Sequence, residues 1–245
     1  MNFFNTHPEV FMPPSSIESA AARRQGPKPV AADLDAALAR FKLTSFRKGQ
    51  RGIIESIVAE KDTLAVMPTG GGKSLCYQLP AVVLNRLVIV ISPLIALMED
   101  QVRGLTALGI PAGCLHSGQT IPEKREVFQG IRRGGTYVLY LSPERVQKPG
   151  FADWLVTQDV GMFAIDESHC VSQWGPDFRP DYHKLDLLRK LKPETPILAL
   201  TASATPIVLE DIVRALELRE PDRHIRGFYR PNLFYHVAVT ESDED

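Results

Sequence analysis

Short apolar runs alternate with longer stretches of helical periodicity along most of this chain. The apolar runs predict buried strands at residues 63–66, 87–91, 112–115, 137–141, 162–165 and 197–200. The stretches around them predict helices at residues 33–41, 47–59, 74–84, 94–108, 122–132, 182–191 and 206–216. Such alternation is typical of βαβ crossovers. The pattern therefore predicts an α/β fold, with a doubly wound, mostly parallel sheet and helices on both faces.

A glycine-rich segment, MPTGGGKS at residues 67–74, follows the first predicted strand and opens the next predicted helix. Glycines can adopt left-handed backbone angles and bring N–H groups close to oxygen anions. The lysine supplies charge for the β- and γ-phosphates of a nucleoside triphosphate, the serine hydroxyl can hold Mg²⁺, and the helix N-terminus adds a favourable dipole. Met67 stands where an opening glycine is usual. The segment still predicts a loop that binds a nucleoside triphosphate, formed by Thr69, Gly70, Gly71, Gly72, Lys73 and Ser74.

Two acidic residues, Asp166 and Glu167, follow the predicted strand at 162–165. The carboxyl ends of parallel strands line one crevice, so we expect these acids beside the glycine-rich loop. Asp166 would reach Mg²⁺ through water, and Glu167 would orient or deprotonate the attacking water. Taken alone, the glycines could form only a flexible turn and the acids only a helix cap. The two motifs together favour a site that hydrolyses a nucleoside triphosphate, with Lys73 as its third catalytic residue.

Several further segments resemble RecQ-family DNA helicases of superfamily two, and specifically their first RecA-like ATPase lobe. The resemblance spans about residues 33 to 233 and implies ATP-dependent movement in the 3′ to 5′ direction along DNA. The acidic pair followed by an aromatic-rich loop is its most specific part. The segments that carry it are LTSFRKGQ at 43–50, ISPLIALMEDQ at 91–101, YLSPERV at 140–146, DESHCVSQWGPDFRPDY at 166–182, ALTASAT at 199–205 and FYRPNL at 228–233.

The resemblance also implies roles in nucleotide recognition and strand tracking. Gln50 would read the edge of adenine, with Phe46 and Arg47 packed nearby. Gln101 and Arg145 lie in the two motifs that track a nucleic-acid strand.

A third group of residues would link nucleotide state to strand binding. His169 would connect the acidic pair to Ser203 and Thr205, in the motif ALTASAT. The alternative for His169 is a hydrogen-bonded core histidine without a functional role.

The aromatic-rich loop suggests a surface for single-stranded DNA. Trp174 and Phe178 lie among turn-forming residues, and rings exposed beside Arg179 can stack bases and contact a phosphate. The alternative is a tryptophan that closes the edge of the core, since this residue is usually mostly buried. Ser168 and Pro176 depart from the family pattern, where alanine and histidine are common, and the proline could stiffen the loop.

Composition adds little evidence about partners. The net charge of −1 does not suggest nucleic-acid binding, so contacts with DNA must come from local basic groups such as Arg103, Arg145 and Arg179. The cysteines are widely spaced, which favours buried thiols in a reducing compartment; they are Cys76, Cys114 and Cys170. No apolar run is long enough to cross a bilayer. We therefore expect a cytoplasmic, chromosome-associated protein with no membrane contact.

The expected domain organisation is a flexible arm at 1–32, a helicase ATP-binding lobe at 33–233, and a lobe exit with an acidic tail at 234–245. Helicases of this superfamily close two such lobes on ATP, and the residues after 233 are too few for the second. An arginine finger from that lobe is worth about 10³- to 10⁵-fold in rate. We therefore expect weak hydrolysis and no unwinding without a second lobe, supplied in cis or in trans.

Three functional interpretations remain open at this point. The first is the ATPase lobe of a DNA helicase that contacts single-stranded and duplex DNA. The second is a nucleotide-dependent DNA-binding module without motor activity. An RNA helicase is a weaker third, because the SQWGPDFRP loop is not shared by RNA-unwinding relatives.

Overall fold

A computed structural model describes residues 33–175 and 177–225 of the chain. Within these residues, a single seven-stranded parallel sheet forms the centre, in the order β3-β4-β2-β5-β6-β1-β7. The predicted doubly wound α/β fold is confirmed. The strands are β1 (Thr63–Val66), β2 (Leu87–Ile91), β3 (Ala112–Leu115), β4 (Tyr137–Leu141), β5 (Val160–Ile165), β6 (Ile197–Thr201) and β7 (Asp222–Ile225).

Helices cover both faces of this sheet. They are α1 (Leu34–Ala39), α2 (Gln50–Val58), α3 (Leu75–Leu84), α4 (Ile95–Ala107), α5 (Ile121–Arg132), α6 (Phe151–Val156), α7 (Asp186–Leu191) and α8 (Pro206–Ala215). Apolar residues of α1 to α4 join one buried cluster, and those of α5 to α8 join a second. Short 3₁₀ segments occupy Pro143–Gln147, Ser168–Val171 and Pro180–Leu185.

The central strands are almost entirely apolar because both of their faces are buried. In β1, Leu64 and Val66 belong to the cluster beneath α5 to α8, whereas Ala65 belongs to the cluster beneath α1 to α4. Alternate residues of a strand point to opposite faces of its sheet. A parallel sheet between two helical layers therefore requires continuous hydrophobic runs, which is the pattern that the sequence shows.

Several element boundaries differ from the sequence predictions. Helix α6 and strand β7 were not predicted. The helix predicted at 182–191 begins instead as 3₁₀ turns at Pro180, and α2 begins only at Gln50, because Gly49 has a left-handed φ of 90° and stands outside the helix. The predicted arm at 1–32, Pro176, the FYRPNL segment and the acidic tail lie outside the described residues.

The carboxyl ends of neighbouring strands lie side by side at one edge of the sheet. The backbone N–H of Met67 donates to the carbonyl of Thr201, and that of Asp166 donates to the carbonyl of Ile91, at 3.0 and 2.9 Å. These bonds extend the sheet pairing by one residue beyond β1 and β5. The glycine-rich loop, the acidic pair and the residues after β6 therefore leave the sheet side by side.

Two further sequence predictions concern the burial of the cysteine thiols and the length of apolar segments relative to a bilayer. Cys76, Cys114 and Cys170 are free and buried, as predicted. Among residues 33–175 and 177–225, no helix is long and apolar enough to span a bilayer.

Candidate nucleotide and strand-binding site

The glycine-rich loop turns sharply between β1 and α3. Gly70 and Gly72 have φ values of 79° and 80°, a left-handed conformation that L side chains rarely adopt. A Cβ at Gly71 would stand 2.8 Å from the carbonyl oxygen of Pro68, too close for any side chain. Helix α3 begins at Leu75 with Ser74 as its N-cap, one residue later than predicted. The loop thus places exposed Thr69 and half-buried Lys73 and Ser74 at the N-terminus of a ten-residue helix.

The acidic pair faces this loop directly. Nζ of Lys73 lies 3.8 Å from Oε1 of Glu167, and both side chains are largely buried, with 15% and 26% of their surfaces exposed. Glu167 has a left-handed φ of 49°, which turns the chain sharply at the end of β5. An ion pair sheltered from water is screened less than one on an open surface. The structure therefore brings together Lys73 and Glu167, the residues that the sequence proposed for phosphate binding and water activation.

Asp166 is an almost fully buried carboxylate, with 4% of the residue exposed. Its Oδ1 accepts the backbone N–H of Glu167 at 3.0 Å. Burial, and then the charge of Glu167, raise the pKa of Asp166 to about 6, while Lys73 and the backbone bond act in the opposite direction. A nearby cation would favour the ionised form.

Magnesium fits the chemistry of this part of the site. It prefers hard oxygen ligands, and the Asp166 carboxylate and the Ser74 hydroxyl are of that kind. The Ser74 side chain makes no hydrogen bond that caps α3. These two residues are therefore the candidates to hold Mg²⁺.

A buried tyrosine forms a hydrogen bond with the backbone of the acidic turn. The sequence did not indicate a role for this residue. The hydroxyl of Tyr182 donates to the backbone carbonyl of Asp166 at 3.0 Å, and Tyr182 is completely buried. Tyr182 belongs to the 3₁₀ segment that follows the aromatic-rich loop. Tyr182 falls within the segment DESHCVSQWGPDFRPDY. Its hydrogen bond to Asp166 could not be predicted, because the two residues lie apart in sequence.

His169 connects the acidic turn to the end of β6, although its partner is Thr201. Nδ1 of His169 lies 2.9 Å from Oγ1 of Thr201 and 3.4 Å from Oε2 of Glu167. Because the Thr201 hydroxyl donates its proton to the carbonyl of Ser203, at 3.0 Å, Nδ1 must carry the proton in this contact.

The neighbouring hydroxyl residues have other contacts. Ser203 meets Thr201 only through its backbone, since its N–H donates to Oγ1 of Thr201 at 3.4 Å. The Thr205 hydroxyl accepts the N–H of Val208 and caps α8. In this structure His169 therefore reaches Ser203 through Thr201, whereas the Thr205 hydroxyl is engaged at the start of α8. Thr201 lies within the ALTASAT motif, but its position at the strand end could not be distinguished from its neighbours by sequence.

The expected adenine-reading segment lies against the phosphate-binding loop. The guanidinium of Arg47 donates to the carbonyl of Gly70, and Nε2 of Gln50 donates to the carbonyl of Gly72 at 2.9 Å. Oε1 of Gln50 accepts the backbone N–H of Arg47 at 2.7 Å. Phe46 is half-buried, and the guanidinium of Arg51 lies 4.7 Å from its ring centre. This cation–π contact was not predicted from the sequence.

The aromatic-rich loop extends from the acidic turn into solvent. Trp174 is 77% exposed, which excludes the alternative in which it closes the core, and Phe178 is 37% exposed with its ring edge-on to His183. Nη2 of Arg179 pairs with Asp177 at 3.0 Å, and Nη1 donates to the carbonyl of Pro93 at 3.4 Å. Arg179 thus connects the loop to the segment that leads into α4.

The two residues expected in the strand-tracking motifs have different environments. Oε1 of Gln101 accepts a hydrogen bond from Nε2 of Gln78 at 2.7 Å, on the side of α4 that faces α3. Arg145 is buried, with 5% exposed, and burial lowers the pKa of its guanidinium. Arg103 is exposed and pairs with Asp100 on its own helix. Arg145 is therefore not on the surface, and direct contact between its side chain and a DNA phosphate would require a rearrangement.

A known protein family matches the part of the chain that forms this site. The family model described as DEAD/DEAH box helicase matches residues 47–212, which include the glycine-rich loop, the acidic pair and the aromatic-rich loop. The chain belongs to this family.

Relatives of known sequence narrow the resemblance to RecQ-type helicases, as the motifs predicted. The chain is 50% identical over 198 residues to a probable ATP-dependent DNA helicase RecS of Bacillus subtilis, covering 80% of this chain and 40% of that protein. It is 47% identical over 202 residues to the ATP-dependent DNA helicase RecQ of Pasteurella multocida, covering 82% and 32%. The chain therefore spans less than half the length of these helicases.

Solved helicase structures share the fold at low sequence identity. The Mycobacterium smegmatis helicase Lhr, bound to ssDNA and AMP-PNP, has a TM-score of 0.61 at 23% identity over 80% of this chain and 28% of its own. The Pyrococcus furiosus Hef helicase domain has a TM-score of 0.58 at 20% identity, covering 76% and 39%. These similarities support the RecA-like helicase architecture.

Proposed function

We propose that this chain is the first ATPase lobe of a RecQ-type DNA helicase. It binds ATP with Mg²⁺ at the glycine-rich loop and single-stranded DNA at the aromatic-rich loop, and it moves 3′ to 5′ along DNA when it acts with a second lobe. The observation that carries the proposal is the contact between Lys73 and Glu167, which joins the phosphate-binding loop to the acidic turn. The aromatic-rich loop begins directly after that turn.

In this proposal each polar group has one task. Lys73 holds the β- and γ-phosphates, and the backbone N–H groups of the glycine-rich loop surround them. Ser74 and Asp166 hold Mg²⁺, which neutralises phosphate charge when bound. Glu167 orients the attacking water and accepts its proton. Gln50 reads the adenine edge, for which it must exchange its hydrogen bonds with Arg47 and Gly72.

A second RecA-like lobe, in cis or in trans, completes the proposed enzyme. Both relatives described above are more than twice as long as the part that this chain matches, which leaves room for such a lobe in them. An arginine from that lobe would supply about 10³- to 10⁵-fold of the rate. This lobe on its own should therefore bind ATP, hydrolyse it slowly and not unwind DNA.

The second candidate function is a DNA-binding module controlled by nucleotide but without motor activity. ATP turnover by the purified chain, with and without single-stranded DNA, separates the two functions, and Lys73→Ala controls for contaminating ATPase. A low rate that DNA increases and Lys73→Ala abolishes supports the helicase lobe. Binding of ATP with turnover at the Lys73→Ala level, whether or not DNA is present, supports the binding module.

An RNA helicase remains the weaker third candidate. Trp174 offers an exposed ring for stacking, and stacking alone does not discriminate DNA from RNA. Competition between DNA and RNA strands of matched sequence tests this point. Equal or tighter binding of RNA would contradict the assignment to DNA.

A further inference from the structure

A buried serine anchors the aromatic-rich loop to helix α8. Ser172 is 1% exposed and stands between the 3₁₀ segment Ser168–Val171 and the exposed part of the loop. Its hydroxyl donates to Oδ2 of Asp211 at 2.7 Å and accepts the backbone N–H of Trp174 at 3.2 Å. One hydroxyl group therefore connects the backbone of the exposed tryptophan to a carboxylate on α8.

The anchor lies beside a second link between the same two parts of the chain. The 3₁₀ segment contacts the end of β6 through His169 and Thr201 near the acidic turn, and Ser172, which follows the segment, contacts α8 through Asp211. The first link lies next to Glu167, because Nδ1 of His169 is 3.4 Å from that carboxylate. Displacement of the loop relative to α8 would therefore act on the segment that positions the acidic turn.

The chemistry of the anchor suits a contact that transmits movement. A hydrogen bond to an ionised carboxylate is shorter and stronger than one between neutral groups. Asp211 is not committed to a stronger partner, since Nη1 of Arg214 lies 3.7 Å from its other oxygen and the Arg214 side chain is 81% exposed. A base stacked on Trp174 would displace the Trp174 backbone, whose N–H donates to the Ser172 hydroxyl.

We infer that Ser172 and Asp211 are a positioning pair that couples DNA on the aromatic-rich loop to nucleotide at the glycine-rich loop. This inference rests on the proposed function, because it requires both ligands to bind this chain. Without the Ser172–Asp211 contact the loop can still bind a strand, but its exposed part loses its direct hydrogen bond to α8. The coupling is then lost, while each ligand alone keeps its affinity.

The test is a binding cycle on the 245-residue chain. The dissociation constant of a fluorescently labelled single-stranded oligonucleotide is measured by anisotropy, with and without a non-hydrolysable ATP analogue and magnesium. The ratio of the two constants is the coupling, and couplings between sites are typically about 5- to 150-fold. We expect a ratio in that range for the wild type, and a ratio within about twofold of one for Ser172→Ala and for Asp211→Ala.

Conservative and neighbouring variants separate positioning from a general loss of structure. Asp211→Asn keeps an oxygen that can accept the Ser172 hydroxyl and should retain most of the coupling. Arg214→Ala removes the exposed ion pair with Asp211, keeps the contact with Ser172 and should match the wild type. The affinity of each variant for the analogue without DNA should also match the wild type, which shows that the nucleotide site is intact.

The outcomes distinguish the inference from the proposed function. If the wild type couples the two ligands and both alanine variants keep that coupling, the inference is wrong and the proposed function stands. If the wild type binds a strand equally with and without the analogue, the inference is wrong and the proposed function stands. If the wild type binds no strand, the proposed function fails and the inference fails with it. Non-additive effects in the Ser172→Ala/Asp211→Ala double variant would establish that the two residues act as a pair.

Discussion

Nζ of Lys73 lies 3.8 Å from Oε1 of Glu167, so the phosphate-binding loop and the acidic turn contact each other across the carboxyl edge of the sheet. Their substitutions should have different effects. Lys73→Ala removes charge that binds phosphate, so the affinity for ATP should fall. Glu167→Gln keeps the size of the side chain and removes the base, so ATP should bind while turnover falls by about 10²- to 10⁴-fold.

Equilibrium binding of ATP and single-turnover hydrolysis, measured on the same preparations, check this difference. Exposed Glu55, which contacts only Arg51 among the ion pairs of the described residues, provides a matched Glu→Gln control with no expected effect. Normal turnover by Glu167→Gln would remove Glu167 from the proposed mechanism.

The raised pKa of Asp166 predicts a dependence of stability on pH. Burial, and then the charge of Glu167, raise the pKa of Asp166 from 3.8 to about 6 in the folded protein. The folded state then holds more protons than the unfolded chain between these pH values, so the contribution of Asp166 to stability falls as pH rises from about 4 to about 6. Asp166→Asn removes this titration. A difference of two pKa units corresponds to roughly 3 kcal/mol at most.

Urea unfolding of wild type and Asp166→Asn at pH 4 and pH 7 measures this effect. The free energy of unfolding of the variant, relative to wild type, should be higher at pH 7 than at pH 4. Asp186→Asn, in an exposed pair with Lys190, is the control for pH effects elsewhere. A difference between variant and wild type that stays constant with pH would contradict the prediction.

Gln50 is predicted to determine nucleotide preference. It is 2% exposed, and its amide meets the backbones of Arg47 and Gly72 on either side. Gln50→Ala removes these contacts and the proposed reader of adenine. The affinity for ATP should fall by about tenfold, equivalent to one net hydrogen bond of roughly 1.5 kcal/mol, and the preference over GTP should disappear.

Calorimetric titration with ATP and GTP checks the preference. Gln147→Ala is the matched control, because Gln147 also uses its whole amide, for Asp181 and Lys184, away from the nucleotide site. Undiminished discrimination by Gln50→Ala would assign adenine recognition to other residues.

The exposed ring of Trp174 is predicted to contribute directly to strand binding. Trp174→Ala should weaken single-stranded DNA binding by about 1 to 3 kcal/mol, the usual contribution of a stacked base. Stability should barely change, since the ring is 77% exposed. The chain contains two tryptophans, so Trp154→Phe leaves Trp174 as the sole reporter for a fluorescence titration. Unchanged fluorescence on addition of DNA would show that bases do not stack on this ring.

The sequence predicted the strands and helices that have a regular hydrophobic pattern, and missed those that depend on tertiary contacts. The strands β1 and β2 are continuous apolar runs, so their pattern alone identified them. Strand β7 has the sequence DRHI, alternates between half-buried and exposed positions, and is held at the edge of the sheet by β1. Helix α6 has only six residues, too few to show a helical period.

The same distinction holds within the site. Lys73, Asp166 and Glu167 follow predicted strands, so topology alone brought them to one edge. The contacts of Thr201 with His169 and of Tyr182 with the Asp166 carbonyl join residues 32 and 16 positions apart, and only packing determines them. For Trp174 the residue type alone slightly favoured burial, and only the placement of its loop close to the acidic pair favoured the exposure that the structure shows.

Asp62 is predicted to be the most sensitive acidic residue for stability, although it lies at the opposite end of the sheet from the site. Its side chain is completely buried and pairs with Arg189. It also accepts the backbone N–H groups of Ile197 and Arg219, at 2.9 and 2.6 Å. Asp62→Ala leaves a buried guanidinium and two N–H groups without this carboxylate, so the free energy of unfolding should fall by roughly 3 to 5 kcal/mol.

Denaturant unfolding measures this loss, with Asp159→Ala as the control. Asp159 also pairs with an arginine, Arg86, but both side chains are substantially exposed, at 68% and 37%, and such pairs contribute about 0 to 1 kcal/mol. If Asp62→Ala and Asp159→Ala were equally mild, the buried carboxylate would not fix the amino ends of β1 and β6. Asp62 lies at the amino end of β1, whereas the nucleotide-binding residues follow the carboxyl ends of the strands. A folded Asp62 variant should therefore still bind ATP with normal affinity.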